Sequence, residues 1–276
     1  MRKKLATVSS GGGTRCSYGV GCFLALGEVY GLKEPDLLIT GSGGTGTASY
    51  VVSGQYDSIR NIWCNLLSNK KFLNPWRFWK IIDIDYLIDR VFKEQDPLDA
   101  ERVYSSSIEY QIAATNSRTG SIRYFSNHEN LDIFELMRAS KAMPLAYGKT
   151  VELNGEQYCD SYASSSLGSN LLRAVEQGAE KVIIIDNDPV NLLNQFLFNL
   201  WLLSRNREFR ENYGRNIRAS KSFKFPSGIE YVLLSPQRKL SVGSLDNNSE
   251  RLRETINQGY RETASNRQLQ SFLSRI

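Results

Sequence analysis

Residues 37–46 read LLITGSGGTG, in which an apolar run leads directly into four glycines and a single serine. A tight turn at the end of a strand needs backbone angles that glycine adopts without steric cost. The same order occurs earlier, where Leu5–Ser9 precedes Gly11, Gly12 and Gly13. Helical spacing of apolar residues follows both turns, over 15–30 and 45–53. Two strand–turn–helix units are therefore predicted, which are typical of a parallel sheet with helical crossovers.

Further strands and helices follow from similar patterns. Strands over 107–114 and 121–125 flank the turn 116–120, and Asn154-Gly155 at the centre of 151–158 predicts a second hairpin. Helices are predicted over 131–140 and 167–178, and strands over 182–185 and 229–234. The all-apolar run 182–185 is typical of a central strand that is buried on both faces. Without a linker or repeat, residues 1–276 are predicted to form one domain, with 245–276 as a C-terminal polar helix.

Two regions are unusually apolar or aromatic. Residues 56–92 combine aromatic with basic side chains, as an interfacial or substrate-covering segment or an amphipathic helical layer packed on the sheet would, and we favour the helical layer. Within them Asp85 and Asp89 share a helix face, which we attribute to charge and capping at a helix N-terminus, so no metal site is predicted. Residues 190–203 fall short of the ~20 residues that a membrane span needs, and they predict a buried helix.

Composition narrows the function. The chain has 276 residues, a net charge of +5 and 23% charged residues, and its basic and acidic residues are interleaved, which argues against a nucleic-acid partner. The four cysteines form no C-x-x-C pair, and an apolar core for a signal peptide is missing, so a cytoplasmic location is expected. His128, the single histidine, lies in a polar turn-like segment. A Ser-His-Asp triad would have to use that loop.

The glycine turn at 41–46 has two interpretations. It satisfies G-x-G-x-x-G, the fingerprint of a dinucleotide site, and it also resembles a nucleophile elbow centred on Ser42. A dinucleotide site would place its fingerprint after the first strand and an acidic residue at the end of the next strand, ~20 residues later, and neither condition is met. The elbow explains more, because the next helix points its N-terminus at Ser42. The amides of the earlier glycine turn would then supply an oxyanion hole, with Arg15 anchoring that loop.

These residues resemble the patatin-like phospholipases. That family carries a G-G-G-x-R-G loop, a G-x-S-x-G elbow and a late D-G-G or D-G-A motif. Here the three motifs correspond to residues 11–16 (GGGTRC), 40–44 (TGSGG) and Asp160 in residues 158–162 (YCDSY). Residues 48–55 and 138–144 also look like the bacterial and archaeal branch of the family. The order and spacing match over most of residues 5–190.

The resemblance implies a three-layer α/β sandwich with a mostly parallel central sheet and helices on both faces. It implies a lipid acyl hydrolase or carboxylesterase with a Ser42–Asp160 dyad, an acyl-serine intermediate and no cofactor. Its substrate would be a lipid or acyl ester, with peripheral membrane contact. The oxyanion hole would be formed by Gly11, Gly12 and Gly13, the loop anchored by Arg15, and the elbow shaped by Gly41, Gly43 and Gly44.

Three residues depart from the family pattern. Thr40 replaces the first glycine of the elbow and is expected to crowd the turn, whereas Cys16 is a small replacement. Ser161 follows Asp160 in place of glycine and is expected to affect the orientation of the carboxylate. Two alternatives to a hydrolase therefore stay open. One is a weakly active or non-catalytic protein that binds a lipid or a partner on the same fold, and the other is a dinucleotide-binding oxidoreductase.

Overall fold

A computed structural model describes residues 3–77, 80–187 and 192–274, the side chains of 192–197 excepted. The described strands are β1 Leu5–Ser9, β2 Leu37–Gly41, β3 Glu109–Asn116, β4 Ile122–Ser126, β5 Val151–Leu153, β6 Glu156–Cys159, β7 Lys181–Ile185 and β8 Glu230–Leu234. The α-helices are α1 Ser17–Glu28, α2 Gly44–Val52, α3 Tyr56–Asn61, α4 Ala100–Ser105, α5 Ile133–Lys141, α6 Leu167–Glu176, α7 Leu192–Leu203, α8 Arg207–Ser222, α9 Ser249–Ala264 and α10 Arg267–Leu273. Two π-helical segments, Ile62–Leu66 and Tyr86–Gln95, and two 3₁₀ turns, Gly13–Cys16 and Ser161–Ala163, complete the secondary structure of these residues.

The strands form one mixed sheet. Its parallel part has the order β3-β2-β1-β7-β8, so the carboxyl ends of these five strands lie at one edge. Strand β3 also pairs antiparallel with β4 over residues 111–115, on the side away from β2, and with β6 at Thr115 and Asn116, on the β2 side beyond the end of β2, while β5 pairs with β6. The two predicted hairpins are confirmed. Asn154 and Gly155 have φ values of 51° and 77°, as a two-residue turn of this kind requires.

Alternating residues of the strands pack against helices on opposite faces. On one face Ala6, Val8 and Ile39 contact α6 in a core that also holds Leu171 and Ala174. The other face, with Leu38, Ile112 and Ile183, belongs to the larger core that includes α1, α2, α5 and α9. This period of two follows from the opposite directions of successive side chains in a strand. The predicted three-layer α/β sandwich is confirmed.

The C-terminal segment differs from the single helix that was predicted over 245–276. It forms two helices, α9 and α10, separated at Ser265 and Asn266, and the Asn266 side chain accepts the backbone N–H of Leu269 to cap α10. The apolar residues that were assigned to the inner face, such as Leu252, Ile256 and Leu269, are buried. A polar capping residue therefore ends the pattern that apolar spacing alone would continue.

The aromatic segment is less regular than the predicted helical layer. Among the described residues of 67–83 there is one isolated bridge, between Leu73 and Ile82, and Trp76 is 85% exposed. Asp85 and Asp89 lie at the N-terminus of the helical segment Tyr86–Gln95, as predicted, but Asp85 makes no capping hydrogen bond, and both carboxylates accept hydrogen bonds from Arg138 on α5, at 2.7 and 2.8 Å. Phe78 and Trp79, which belong to the same predicted layer, lie outside the described residues.

Helix α7 confirms a helix within 190–203, but the prediction of burial is wrong for its second half. Phe198 is buried, whereas Leu200 and Leu203 are 51% and 68% exposed. Residues 190 and 191 lie outside the described part of the chain. Across that part, none of the helices combines the length and hydropathy that a transmembrane helix requires.

The packing of α1 on α9 generates a first prediction. An added Cβ on Gly259 would lie 2.1 Å from the Tyr18 carbonyl oxygen, and one on Gly21 would lie 2.0 Å from the Ile256 carbonyl oxygen. Because backbone atoms cannot move aside as a flexible side chain does, we expect Gly259→Ala to lower the free energy of unfolding by at least about 2 kcal/mol. Urea denaturation measures this change.

Gly214→Ala in the equally long helix α8 is the matched control. An added Cβ there meets only the tip of the Arg218 side chain, at 3.3 Å. We expect this variant to be neutral or stabilised by up to about 1 kcal/mol, as alanine is favoured over glycine inside a helix. Equal stabilities of the two variants would contradict the close approach of α1 and α9.

Candidate active site

Ser42 lies at a sharp turn between β2 and α2. Strand β2 ends at Gly41 and helix α2 begins at Gly44, so only two residues connect them. Ser42 has φ of 50°, a left-handed conformation that is rare for a residue with a side chain. Its hydroxyl therefore projects from the carboxyl edge of the sheet at the N-terminus of α2, although the residue as a whole is only 5% exposed.

Gly41 and Gly44 of the elbow have no room for a side chain, because residues that depart from the family pattern lie beside them. An added Cβ on Gly41 would lie 2.3 Å from the Ser161 hydroxyl oxygen, and one on Gly44 would lie 2.3 Å from the Thr40 hydroxyl oxygen. Thr40 therefore lies within β2 and fills the space beside Gly44 instead of disrupting the turn. Gly43 faces the glycine loop, since a Cβ there would meet the Gly13 carbonyl oxygen at 2.7 Å and the Cys16 sulfur at 2.9 Å.

Asp160 is brought to Ser42 by the loop that follows β6. The Ser42 hydroxyl donates to Asp160 Oδ2 over 2.9 Å, while Oδ1 accepts the backbone N–H of Tyr162 over 2.8 Å. The backbone N–H of Asp160 in turn donates to the carbonyl of Ala142 after α5. Both carboxylate oxygens thus have partners, and Ser161 does not turn the carboxylate away from Ser42.

Burial dominates the electrostatics of Asp160, which is 1% exposed. Desolvation raises the pKa of its carboxyl from the ordinary value to about 6, against the opposing effects of the Tyr162 amide, the Ser42 hydroxyl and the Lys141 charge. A carboxylate with this pKa is ionised at neutral pH but far more basic than an exposed one. It is therefore suited to accept a proton from Ser42.

The glycine loop after β1 lies beside Ser42. An added Cβ on Gly11 would be 3.1 Å from the Ser42 Cβ, and Gly12 and Gly13 have φ of 148° and 60°. Within the described part of the chain, the amide N–H groups of Gly12 and Gly13 have no hydrogen-bond acceptor. Backbone amides in this state are available to an anion. Arg15, the predicted anchor, is half-buried, and its backbone N–H donates to the Gly12 carbonyl over 3.2 Å.

Distant parts of the chain hold this loop. The buried Asn187, which follows β7, donates to the Ser10 carbonyl over 2.8 Å and accepts the Gly19 amide over 2.9 Å, so it ties β1 to α1. The Thr14 amide donates to the Ser244 carbonyl over 3.0 Å, and the Thr14 hydroxyl donates to the Gly243 carbonyl over 2.8 Å. The segment before α9 therefore fixes the start of the first 3₁₀ turn.

The end of α5 supports the elbow from the other side. The Ser140 hydroxyl accepts the Ser42 amide over 2.9 Å and donates to the Ala113 carbonyl of β3 over 2.6 Å. The neighbouring Lys141 is buried, and its ammonium donates to the Ser42 carbonyl over 2.7 Å and to the Thr45 hydroxyl. Burial lowers the pKa of Lys141 to about 7.

Two apolar cavities meet at Ser42. The inner one encloses about 680 Å³ of empty space, part of it open to solvent, and reaches Ser42 and Asp160. Its apolar lining includes Tyr50, Ile59, Trp63, Phe72, Leu73 and Phe92. The outer cavity, about 910 Å³ of empty space that includes a part open to solvent, runs from Gly12, Gly13 and Ser42 towards Pro144, Tyr162 and Phe198. A linear apolar group could occupy the inner cavity while its polar end lies at Ser42.

The other groups that could take part in catalysis lie far from Ser42 or are unreactive. His128 is 3.7 Å from Glu109, the first residue of β3, at the opposite edge of the sheet from Ser42. The buried Cys16 lies beside Gly43, but burial raises the pKa of its thiol to about 12, so it stays protonated at neutral pH. Among the described residues, no group of three or more His, Cys, Asp or Glu side chains could hold a metal ion.

Sequence reasoning missed several supporting residues. Ser140 and Lys141 lie inside the segment 138–144 that carries part of the family resemblance, but no role was assigned to either. Asn187 follows a predicted central strand, and its position at a carboxyl edge is a signal that could have identified it. Ser244 lies in a segment without periodicity, and only the folded chain brings it to the loop.

Comparison with known proteins gives three consistent findings. The family model described as patatin-like phospholipase matches residues 7–171. The uncharacterized protein YjjU of Escherichia coli (strain K12) is 26% identical over 192 residues, which cover 67% of this chain and 52% of YjjU, so the chain spans about half the length of that relative. The crystal structure of VipD from Legionella pneumophila aligns with a TM-score of 0.55 at 12% identity and covers 99% of this chain and 67% of VipD.

The contact between Gly41 and Ser161 generates a second prediction. We expect Gly41→Ala to reduce the free energy of unfolding by about 1–3 kcal/mol, since the new methyl group would overlap the Ser161 side chain. Adding Ser161→Gly should recover at least about 1 kcal/mol, because it removes the overlapping atoms. Chemical denaturation of the two single variants and the double variant measures this coupling.

Ser165→Gly is the control for the compensating substitution Ser161→Gly. Ser165 is buried and bonded to Asn170, but it is not among the nearest neighbours of Gly41. Its combination with Gly41→Ala should show additive losses. A rescue by Ser165→Gly equal to that by Ser161→Gly would refute the local explanation.

Proposed function

The chain belongs to the patatin-like phospholipase family, and on that premise we propose that it hydrolyses carboxylic esters of lipids through Ser42 and Asp160. One observation carries the assignment of the residues. The hydroxyl of a serine in a strained turn donates to a buried carboxylate over 2.9 Å, and His128 lies at the opposite edge of the sheet. The nucleophile and its base are thus within direct hydrogen-bond reach.

In the proposed reaction Ser42 Oγ attacks the ester carbonyl while its proton passes to Asp160. The carbonyl oxygen becomes an oxyanion and accepts hydrogen bonds from the amides of Gly12 and Gly13, each contributing about 3 kcal/mol. Collapse of the tetrahedral intermediate breaks the ester C–O bond, and the leaving alkoxide takes the proton from Asp160. Asp160 then deprotonates a water molecule that attacks the acyl-Ser42 ester. Collapse of the second tetrahedral intermediate breaks the bond between the acyl carbon and Ser42 Oγ, which takes the proton back from Asp160, and the carboxylic acid is released.

The cavities support a substrate with at least one apolar chain. The acyl chain would occupy the inner cavity, more than half of whose lining residues are aliphatic or aromatic. The alcohol portion would lie in the outer cavity, near Leu145 and Tyr162, which are 47% and 38% exposed. Exposed apolar side chains beside the entrance suit peripheral contact with a lipid surface. No organic cofactor or metal takes part in this scheme.

The geometry is less favourable to the two alternatives. A dinucleotide pyrophosphate at the N-terminus of α2 would lie beside the buried Asp160 carboxylate and be repelled by it. A protein that only binds lipids would not need a carboxylate with a raised pKa against the strained serine. Absence of esterase activity in the intact protein on all acyl lengths would nevertheless favour the binding role.

Substitution of the dyad is the third prediction. Ser42→Ala should reduce kcat/KM for p-nitrophenyl esters by about 10⁴-fold or more, because the nucleophile is lost. Asp160→Asn should reduce it by about 10²–10⁴-fold, since an amide cannot accept the proton. Ser53→Ala, which removes a buried serine bonded to the Tyr50 carbonyl, is the control and should retain activity. Survival of activity in Ser42→Ala would show that another nucleophile acts.

The expected pH dependence of the activity follows from the raised pKa of Asp160. The base must be ionised, and its pKa is raised to about 6, so activity should be lost as the pH falls through about 6. A pH profile of kcat/KM measures this acid limb. A limb near pH 4, the ordinary range of an aspartate, would mean that Asp160 is not desolvated in the working enzyme.

A fifth prediction concerns acyl length. Leu73 lines the inner cavity and is 1% exposed, and its replacement by tryptophan adds bulk to that space. We expect Leu73→Trp to lower kcat/KM for long-chain p-nitrophenyl esters at least tenfold relative to short-chain ones. The short-chain rate of the same variant controls for general damage. An unchanged ratio between long and short chains would place the acyl group elsewhere.

A further inference from the structure

The ammonium of Lys141 lies in an unusual place for a lysine. The side chain is 6% exposed, it lines the inner cavity, and its Nζ donates to the carbonyl of the nucleophile residue itself. Burial of a charged amine is costly unless hydrogen bonds compensate for the lost water. Here the compensating acceptors are the Ser42 carbonyl and the Thr45 hydroxyl, both in the elbow.

The bond to the Ser42 carbonyl fixes the orientation of the whole Ser42–Gly43 peptide. That carbonyl also accepts the Thr45 amide over 3.2 Å and the Thr45 hydroxyl over 3.0 Å, so it points along α2. No cis peptide bond is present in the described chain, and in a trans peptide the N–H points opposite to the C=O. The Gly43 N–H is therefore directed away from α2, towards the side of the glycine loop.

The Gly43 amide is available to a substrate. None of the described residues accepts a hydrogen bond from it, and Gly43 lines the inner cavity together with Ser42 and Gly13. The Gly13 nitrogen is only 3.2 Å from the position of an added Cβ on Gly43, so the two amides lie close together. In nucleophile elbows of other folds the amide after the nucleophile is a typical oxyanion donor.

We propose that Lys141 is a positioning residue that holds the Ser42–Gly43 peptide so that the Gly43 amide joins Gly12 and Gly13 as an oxyanion donor. The cation polarises the peptide carbonyl and thereby strengthens the N–H on the other side of the same peptide bond. This inference rests on the proposed ester hydrolysis at Ser42. It adds a third donor and a source of charge to that mechanism.

The charge of Lys141 also acts on Asp160. The titratable groups that face Lys141 are Asp160, from the loop after β6, and Cys16, from the first 3₁₀ turn; Arg138 on the same helix is bonded to Asp85, Asp89 and Glu135. The ammonium lowers the pKa of Asp160 and so opposes the effect of burial. Removal of the charge should raise the pKa of Asp160 and move the acid limb of the pH profile to higher pH.

Three substitutions separate the parts of this role. Lys141→Arg retains the charge and the donors, Lys141→Gln retains a neutral donor, and Lys141→Met retains only the apolar stem. We expect kcat for a p-nitrophenyl ester to fall in the order Arg, Gln, Met, with a loss of about 10–100-fold in Lys141→Met and little change in KM. The acid limb should move upward in Lys141→Gln and Lys141→Met but not in Lys141→Arg.

Lys181→Met is the matched control. Lys181 is 1% exposed, but its Nζ donates to the Phe272 carbonyl, far along the chain from the elbow. This variant should lose stability without a change in kcat per folded molecule or in the pH profile. Thermal melting of each variant, together with titration of Ser42 by a long-chain alkyl fluorophosphonate, gives the fraction of folded and reactive protein.

The outcomes separate the inference from the proposed function. Activity that is independent of Ser42 would overturn the function and the inference together. Activity that requires Ser42 but is unchanged in kcat and pH profile in Lys141→Met would overturn the inference alone. A loss in Lys141→Met explained entirely by a smaller folded fraction would also overturn it. If that variant does not fold, the same criteria apply to Lys141→Gln against Lys141→Arg.

Discussion

The buried Asp160 carboxylate is the constraint on which the rest of the site depends. A charge that is 1% exposed is tolerated only where hydrogen bonds and a nearby cation replace water. The Tyr162 amide, the Ser42 hydroxyl and the Lys141 charge serve this purpose, and each comes from a different element. The loop after β6, the elbow and the end of α5 must therefore assemble together, and each stabilises the position of the others.

The elements set by local rules could be predicted from the sequence. Strands β1 and β2 with their glycine turns, and the hairpin around Asn154 and Gly155, depend on residues that are adjacent in the chain. Three short motifs that resemble those of the family were enough to predict Ser42 and Asp160 as a catalytic pair, although the two residues are 118 positions apart in the chain. The hydrogen bond between their side chains depends on the fold, so the sequence alone could not show it.

The residues that could not be predicted act through distant contacts. Nothing in the polar segment around Ser244 indicates that its carbonyl accepts the Thr14 amide, because the two are brought together only when α9 packs on α1. In the sequence Lys141 lies at the end of an amphipathic helix, and a basic residue near a helix C-terminus is common, so nothing indicates its role. The ion pairs of Asp85 and Asp89 with Arg138 were missed for the same reason, since Arg138 belongs to another helix.

The departures from the family pattern show that the same turn can form when side-chain volume is placed at different positions. Where the pattern has glycine at position 40, this chain has a threonine that fills the space beside Gly44. Where the pattern has glycine after the aspartate, Ser161 fills the space beside Gly41. The two elbow glycines leave the volume that the two hydroxyl side chains occupy, so the backbone path is retained while the side chains differ. A glycine pattern is therefore better judged by the space around each position than by its letters alone.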